Sequence, residues 1–116
     1  MQAIQQSLVP LSLEQIVRFC GAVQDFNPIH YDEKFALAAG LPGVIAQGPL
    51  TYLLALDALI AANGLHNISG FQARLKAPVQ AGMPLELACD SAGKTSLKAG
   101  GNEALAGMAT QAGGRA

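Results

Sequence analysis

Residues 48–62 are apolar on nearly every face of a helix, and nothing else in this chain restricts its fold as strongly. Gly48 and Pro49 form a cap and first-turn pair, Asp57 is the one charged residue of the run, and Asn63-Gly64 ends it. A helix without a polar face has no side to give to water, so the pattern predicts burial all round. At roughly 1.5 Å per residue it reaches about 22 Å, most of the way across a small domain and short of a bilayer.

After that helix the period changes. Phe71, Ala73, Leu75 and Ala77 alternate with Gln72, Arg74 and Lys76, while Leu85, Leu87 and Cys89 alternate with Glu86, Ala88 and Asp90. Period two means strands with one wet face. Ala81-Gly82 supplies a turn between them, Gly100-Gly101-Asn102 joins strands at 95–99 and 103–110 into a hairpin, and residues 4–9 add an edge strand. Residues 113–116 read as a frayed tail. Strands with one apolar side and a helix apolar all round fit together as an α+β fold, an antiparallel β-sheet wrapped around a long central α-helix. With 116 residues there is room for one such domain, spanning 1–116.

Upstream, Ser12 and Gln15 make a capping box that opens a helix near 12–23, with Leu13, Ile16, Val17 and Cys20 at helical spacing. Asp32 caps a short helix over 33–39, which Gly40 terminates before a turn at 41–43.

Composition removes several classes of function. Seven Lys and Arg against eight Asp and Glu leave a net charge of −1, without the basic surplus that nucleic acid demands. A hydrophobic fraction of 51% with 13% charged residues is high for a small monomer. Some apolar surface is therefore expected to be covered by another subunit, and free edge strands point to a homodimer with its sheets joined edge to edge. Cys20 and Cys89 lie far apart among apolar neighbours and outside any metal-ligand spacing, so they read as reduced core residues, in keeping with a cytoplasmic protein that holds no metal. Residues 1–10 show no basic segment followed by an apolar stretch, so no secretory signal is expected there, nor a membrane partner.

The chemistry is concentrated in Asp25-Phe26-Asn27-Pro28-Ile29-His30-Tyr31-Asp32. In an unbroken helix, Asp25 and His30 would project about 140° apart at roughly 100° per residue and could not share a substrate. Pro28 lacks an amide donor and pushes Asn27 out of helical conformation, which lets the chain turn and bring the two side chains toward one cleft.

The run Asp25-Phe26-Asn27-Pro28-Ile29-His30, with Ala36 six positions beyond the histidine and then Ala39-Gly40-Leu41-Pro42-Gly43-Val44-Ile45-Ala46-Gln47-Gly48, resembles the signature of MaoC-like, R-specific enoyl-CoA hydratases and dehydratases. The likeness is strong over 21–54 and weaker over 71–85, where Ala73-Arg74-Leu75-Lys76-Ala77-Pro78 resembles the strand after the central helix. It implies a hot-dog fold, an acid/base pair at Asp25 and His30, and an oxyanion donor at the backbone amide of Gly48. The family usually carries glycine before the catalytic aspartate, where this chain has Gln24, and histidine before the oxyanion glycine, where it has Gln47.

Hydration of a 2-enoyl thioester needs water at the β-carbon, a proton at the α-carbon and stabilisation of charge on the thioester oxygen. Asp25 and His30 are assigned the first two jointly, and Gly48 the third, at a helix N-terminus whose free N–H groups and dipole favour an anion. Asn27 is first a turn former before proline and second an orienter of the cleft. Gln47 and Tyr31 complete the expected substrate-binding set. His66 reads as solvated, Asp57 as a charge at a subunit interface or wet strip, and Tyr52 as core. Arg74 and Lys76 are either solvated or meet the phosphates of coenzyme A.

The expected activity is that of a hydro-lyase interconverting trans-2-enoyl and R-3-hydroxyacyl thioesters, with no cofactor beyond the coenzyme A of the substrate. An acyl-carrier-protein thioester is a close variant. The alternatives are a hot-dog thioesterase and a non-catalytic acyl-binding subunit of a paired hydratase complex, which would make the chain a partner in a hetero-oligomer.

Overall fold

Ser12 opens the first helix through a reciprocal capping box: its Oγ accepts from the Gln15 amide at 3.1 Å, while Gln15 Oε1 accepts from the Ser12 amide at 2.9 Å. This helix, α1 (Leu13–Val23), follows a first strand, β1 (Ile4–Leu8). A 3-10 turn (Pro28–His30), α2 (Glu33–Ala38) and the long α3 (Gly48–Asn63) come next. A second 3-10 turn (Leu65–Asn67) leads into β2 (Ile68–Leu75), β3 (Leu85–Cys89), β4 (Lys94–Ala99) and β5 (Asn102–Gln111). These elements are those of a computed structural model that describes residues 1–112; the tail expected at 113–116 lies outside the described residues.

All five strands form one antiparallel sheet in the order β1-β3-β4-β5-β2. The alternation does what its period requires. Leu85, Leu87 and Cys89 of β3 and Thr95, Leu97 and Ala99 of β4 are buried on one face, and the residues between them face out or are half-buried. That inner face meets Ala55, Ala58 and Leu59 of α3, while Ile16 of α1 joins the same core. Fully burying a leucine such as Leu59 contributes about 1.5–3 kcal/mol. Tyr52 ties α3 to the sheet: its hydroxyl donates to Phe71 O at 2.6 Å and the two ring centroids lie 5.1 Å apart. The sheet thus wraps a central helix, the expected hot-dog arrangement.

Two expectations change. Ala81-Gly82 does turn the chain, but the strands on either side of it are not neighbours: β2 pairs with β5 at one edge, while β3 lies between β1 and β4. Nor is α3 buried all round by its own chain. Only Thr51, Ala55, Ala58 and Leu59 are fully enclosed, because one sheet covers one side of a helix. The opposite side presents an apolar groove of about 340 Å³ lined by Leu50, Leu53, Leu54, Leu56, Asp57 and Ile60. Among the described residues, no helix is long and apolar enough to cross a membrane.

Candidate active site

Asp25 owes its place to the way α1 stops. Gln24 adopts a left-handed conformation (φ 57°, ψ 39°), and its amide and that of Asp25 both donate to Cys20 O, the latter at 3.0 Å. This is the conformation that favours glycine, so the departure at position 24 has a local meaning: it concerns how the helix ends. Beyond it, Asp25 Oδ1 accepts from the Asn27 amide at 3.2 Å and Asn27 Oδ1 accepts from the Ile29 amide at 3.2 Å. Asn27 therefore caps the 3-10 turn that begins at Pro28, and two short side-chain turns fold the chain back on itself.

The fold-back brings His30 Nε2 to 3.5 Å from Asp25 Oδ2. His30 is buried, whereas the Asp25 side chain is 47% exposed, so the pair lies at the surface with the carboxylate on the wet side. The other ring nitrogen, Nδ1, lies 2.8 Å from Ile45 O. A carbonyl can only accept, so this contact assigns the proton to Nδ1 and leaves Nε2 as the nitrogen that gains or loses one. At 3.5 Å, Nε2 and Oδ2 are too far apart for a strong direct hydrogen bond and close enough to face one water together.

Ile45 carries the connection onward. Its carbonyl anchors His30, and three residues later Gly48 begins α3. Ile45, Gly48, Thr51 and Leu75 line a cavity of about 350 Å³ that continues along residues 76–79. Gln47 caps α3 without a side-chain hydrogen bond to its first turn, so N–H groups there are left for another acceptor. A Cβ on Gly48 would come within 2.5 Å of Leu75 Cδ1, the far end of a half-exposed side chain that would have to move aside. Lys76, one of the lining residues, is paired with Glu103 at 2.8 Å, and Ser96 Oγ donates to the same carboxylate at 2.6 Å. These partners, Lys76 first, hold the Glu103 carboxyl below its ordinary value.

The structure thus brings Asp25 and His30 together directly and joins the histidine to the Gly48 segment through one hydrogen bond. Two expected substrate contacts are placed elsewhere. Gln47 is 1% exposed and turns inward, its Nε2 donating to Ile16 O at 2.9 Å and to Cys20 Sγ at 3.2 Å. Tyr31 lines a different depression, with Leu13, Glu33, Val44, Gln80 and Ala81. Arg74 is exposed, as is His66. Ile45 and Leu75 are additions: a backbone carbonyl has no sequence signature, and Leu75 reads by alternation as core although it is 49% exposed beside Gly48.

A family model described as MaoC like domain matches residues 2–111. A chain of the ChsH1-ChsH2 complex from Mycobacterium tuberculosis superposes with a TM-score of 0.77 at 17% identity, over 93% of this chain and 91% of that one. The unliganded R-hydratase PhaJ1 from Pseudomonas aeruginosa gives 0.73 at 20% identity, over 93% and 77%. The (R)-hydratase from A. caviae involved in PHA biosynthesis gives 0.70 at 22% identity, over 93% and 91%. At such identities the likeness shows a common fold. None of the curated proteins compared with the chain matches it.

Proposed function

The chain belongs to the MaoC-like domain family, and from that premise we propose that it reversibly hydrates trans-2-enoyl thioesters to R-3-hydroxyacyl thioesters, with coenzyme A as the favoured carrier and no further cofactor. The observation that carries this reading is the convergence of Asp25 and His30, with the histidine anchored to the segment that leads into Gly48.

In the hydration direction one water faces Oδ2 of Asp25 and Nε2 of His30. One of these two bases takes a proton from the water as its oxygen bonds to the β-carbon. The C=C electrons move toward the thioester carbonyl, and the developing oxyanion is met by the Gly48 amide at the start of α3. Charge then returns to the α-carbon, which takes a proton from the acid form of the pair. Water is consumed and the pair regains its starting protonation. Proton transfer by positioned groups contributes about 10²–10⁴-fold, and an oxyanion donor about 2.7–4 kcal/mol.

A pair of hot-dog subunits is the expected working unit. The leucine-lined outer face of α3 and the free edge of β2 support this, whether the second chain is another copy or a related subunit.

The test is to follow loss of conjugated-enoyl absorbance from crotonyl-coenzyme A with wild type and Asp25→Asn. Hydration by the first and loss of about 10²-fold or more in the second is expected. Release of free thiol would favour a thioesterase instead. Equal rates in both chains would remove the assigned chemistry.

A further inference from the structure

Gln47 is a buried polar side chain in a small core, and one of its two polar ends has no protein partner. Its Nε2 donates to Ile16 O and Cys20 Sγ, on successive turns of α1, while its Oε1 is buried with no hydrogen bond from the protein. An arrangement chosen for stability alone would put a leucine or methionine here, because an unsatisfied buried acceptor is destabilising and an apolar side chain of similar shape is not.

What the side chain connects explains its presence. On one side Gln47 directly precedes Gly48, so its backbone sets where the first turn of α3 begins. On the other it grips Cys20, and the carbonyl of that same residue receives the amides of Gln24 and Asp25. Cys20 therefore holds Gln47 by its sulfur and the turn that launches Asp25 by its oxygen. Asp25 itself is exposed, and its side chain meets the protein through the Asn27 amide and His30, so its position depends on where α1 ends.

We propose that Gln47 is a positioning residue: it sets the end of α1 relative to the start of α3, and thereby holds the Asp25 carboxylate in register with the Gly48 amide. This rests on the hydratase reading for its kinetic consequence, though not for its structural one. A misplacement of about 1 Å between reacting groups costs about 10²-fold in rate, so a clamp that touches no substrate can still govern turnover.

The experiment compares wild type with Gln47→Leu, Cys20→Val and Cys20→Ser. Three measurements are made: kcat and KM on crotonyl-coenzyme A, the melting temperature, and amide hydrogen exchange at Gln24 and Asp25. Gln47→Leu should lower kcat by about 30–100-fold with KM within about threefold of wild type. Its melting temperature should be unchanged or higher, while exchange at Gln24 and Asp25 rises about tenfold or more above its wild-type rate. Cys20→Val should likewise lower kcat and raise exchange at Gln24 and Asp25, and Cys20→Ser, which keeps an acceptor at that place, should recover most of the loss. A purely structural Gln47 would instead lose stability and activity together. Unchanged exchange at Gln24 and Asp25 in Gln47→Leu would overturn the proposal. So would a lower melting temperature with exchange raised throughout the core. If wild type hydrates no enoyl thioester, the hydratase reading fails by itself, and the exchange data still decide whether the clamp exists.

Discussion

The imidazole of His30 and the backbone carbonyl of Ile45 are joined at 2.8 Å, and this contact governs what the histidine can do. It fixes the ring orientation, occupies Nδ1 and turns Nε2 toward Asp25. The two functions of the ring can be separated. His30→Asn keeps a donor near the position of Nδ1 and removes Nε2, so it should fold normally and lose about 10²–10⁴-fold in kcat. His30→Ala also deprives Ile45 O of its partner and should lose about 1 kcal/mol or more of stability besides. Thermal melts and initial rates check both, and an active His30→Asn would count against Nε2 as the reacting nitrogen.

Gln24 occupies a left-handed position at the end of α1. A non-glycine residue there costs about 1–2 kcal/mol, and glycine returns part of that gain through its freer unfolded chain. Gln24→Gly is therefore expected to stabilise the protein by about 0.5–1 kcal/mol in urea denaturation. A destabilised variant would mean that the glutamine side chain contributes a contact the conformation does not explain.

Gly48 and Leu75 should behave as one unit. The backbone at position 48 accepts alanine, since its φ is not positive, but the new Cβ would fall 2.5 Å from Leu75 Cδ1 and force that side chain aside. Leu75 is half-exposed and can move, so stability should change little, but the displaced side chain shifts the lining of the cavity beside Gly48 and Gly48→Ala is expected to cost about tenfold in kcat/KM. In the background of Leu75→Ala the same change should cost little, and the difference measures the coupling. Additive effects would show that Leu75 is not what requires glycine here.

Leu53 is 45% exposed in the groove on the outer side of α3. A partner covering that groove would have to bury any charge placed in it, at a cost of several kcal/mol. Sedimentation of wild type at micromolar concentration should give a mass above that of one chain, and Leu53→Glu, whose charge Asp57 one turn away would repel, should shift it to the monomer. A monomeric wild type at that concentration would count against the homodimer.

Glu103 should contribute to the acid limb of stability. Its carboxyl is held below the ordinary value by Lys76, then by Ser96. For a depressed carboxylate the stabilisation is present above the unfolded-state value and is lost as pH falls through the folded one. Glu103→Gln should lower stability at neutral pH and make the stability profile flatter through that acid range. Parallel profiles for the two chains would show that the contacts with Lys76 and Ser96 are not felt in solution.

What could be read from the sequence follows one physical rule: information carried between near neighbours along the chain is legible. The capping box of Ser12 and Gln15, the cap at Asp32, the long apolar helix ended by Asn63-Gly64, and the period-two strands are local, and each appears at or within a few residues of its expected place. The break at Pro28 was legible for the same reason, because its effect on Asn27 is a clash between adjacent residues. The pairing of β2 with β5, the one-sided cover of α3 and the inward turn of Gln47 were not. They depend on which distant segments meet. A leucine at 75 that alternates like core ends beside Gly48, and a glutamine at 47 that reads as a ligand contact grips a helix 27 residues upstream. Local sterics and hydrogen bonding determined the elements and the break at Pro28, the family resemblance marked Asp25 and His30 as the candidate pair, and long-range packing alone decided what each side chain faces.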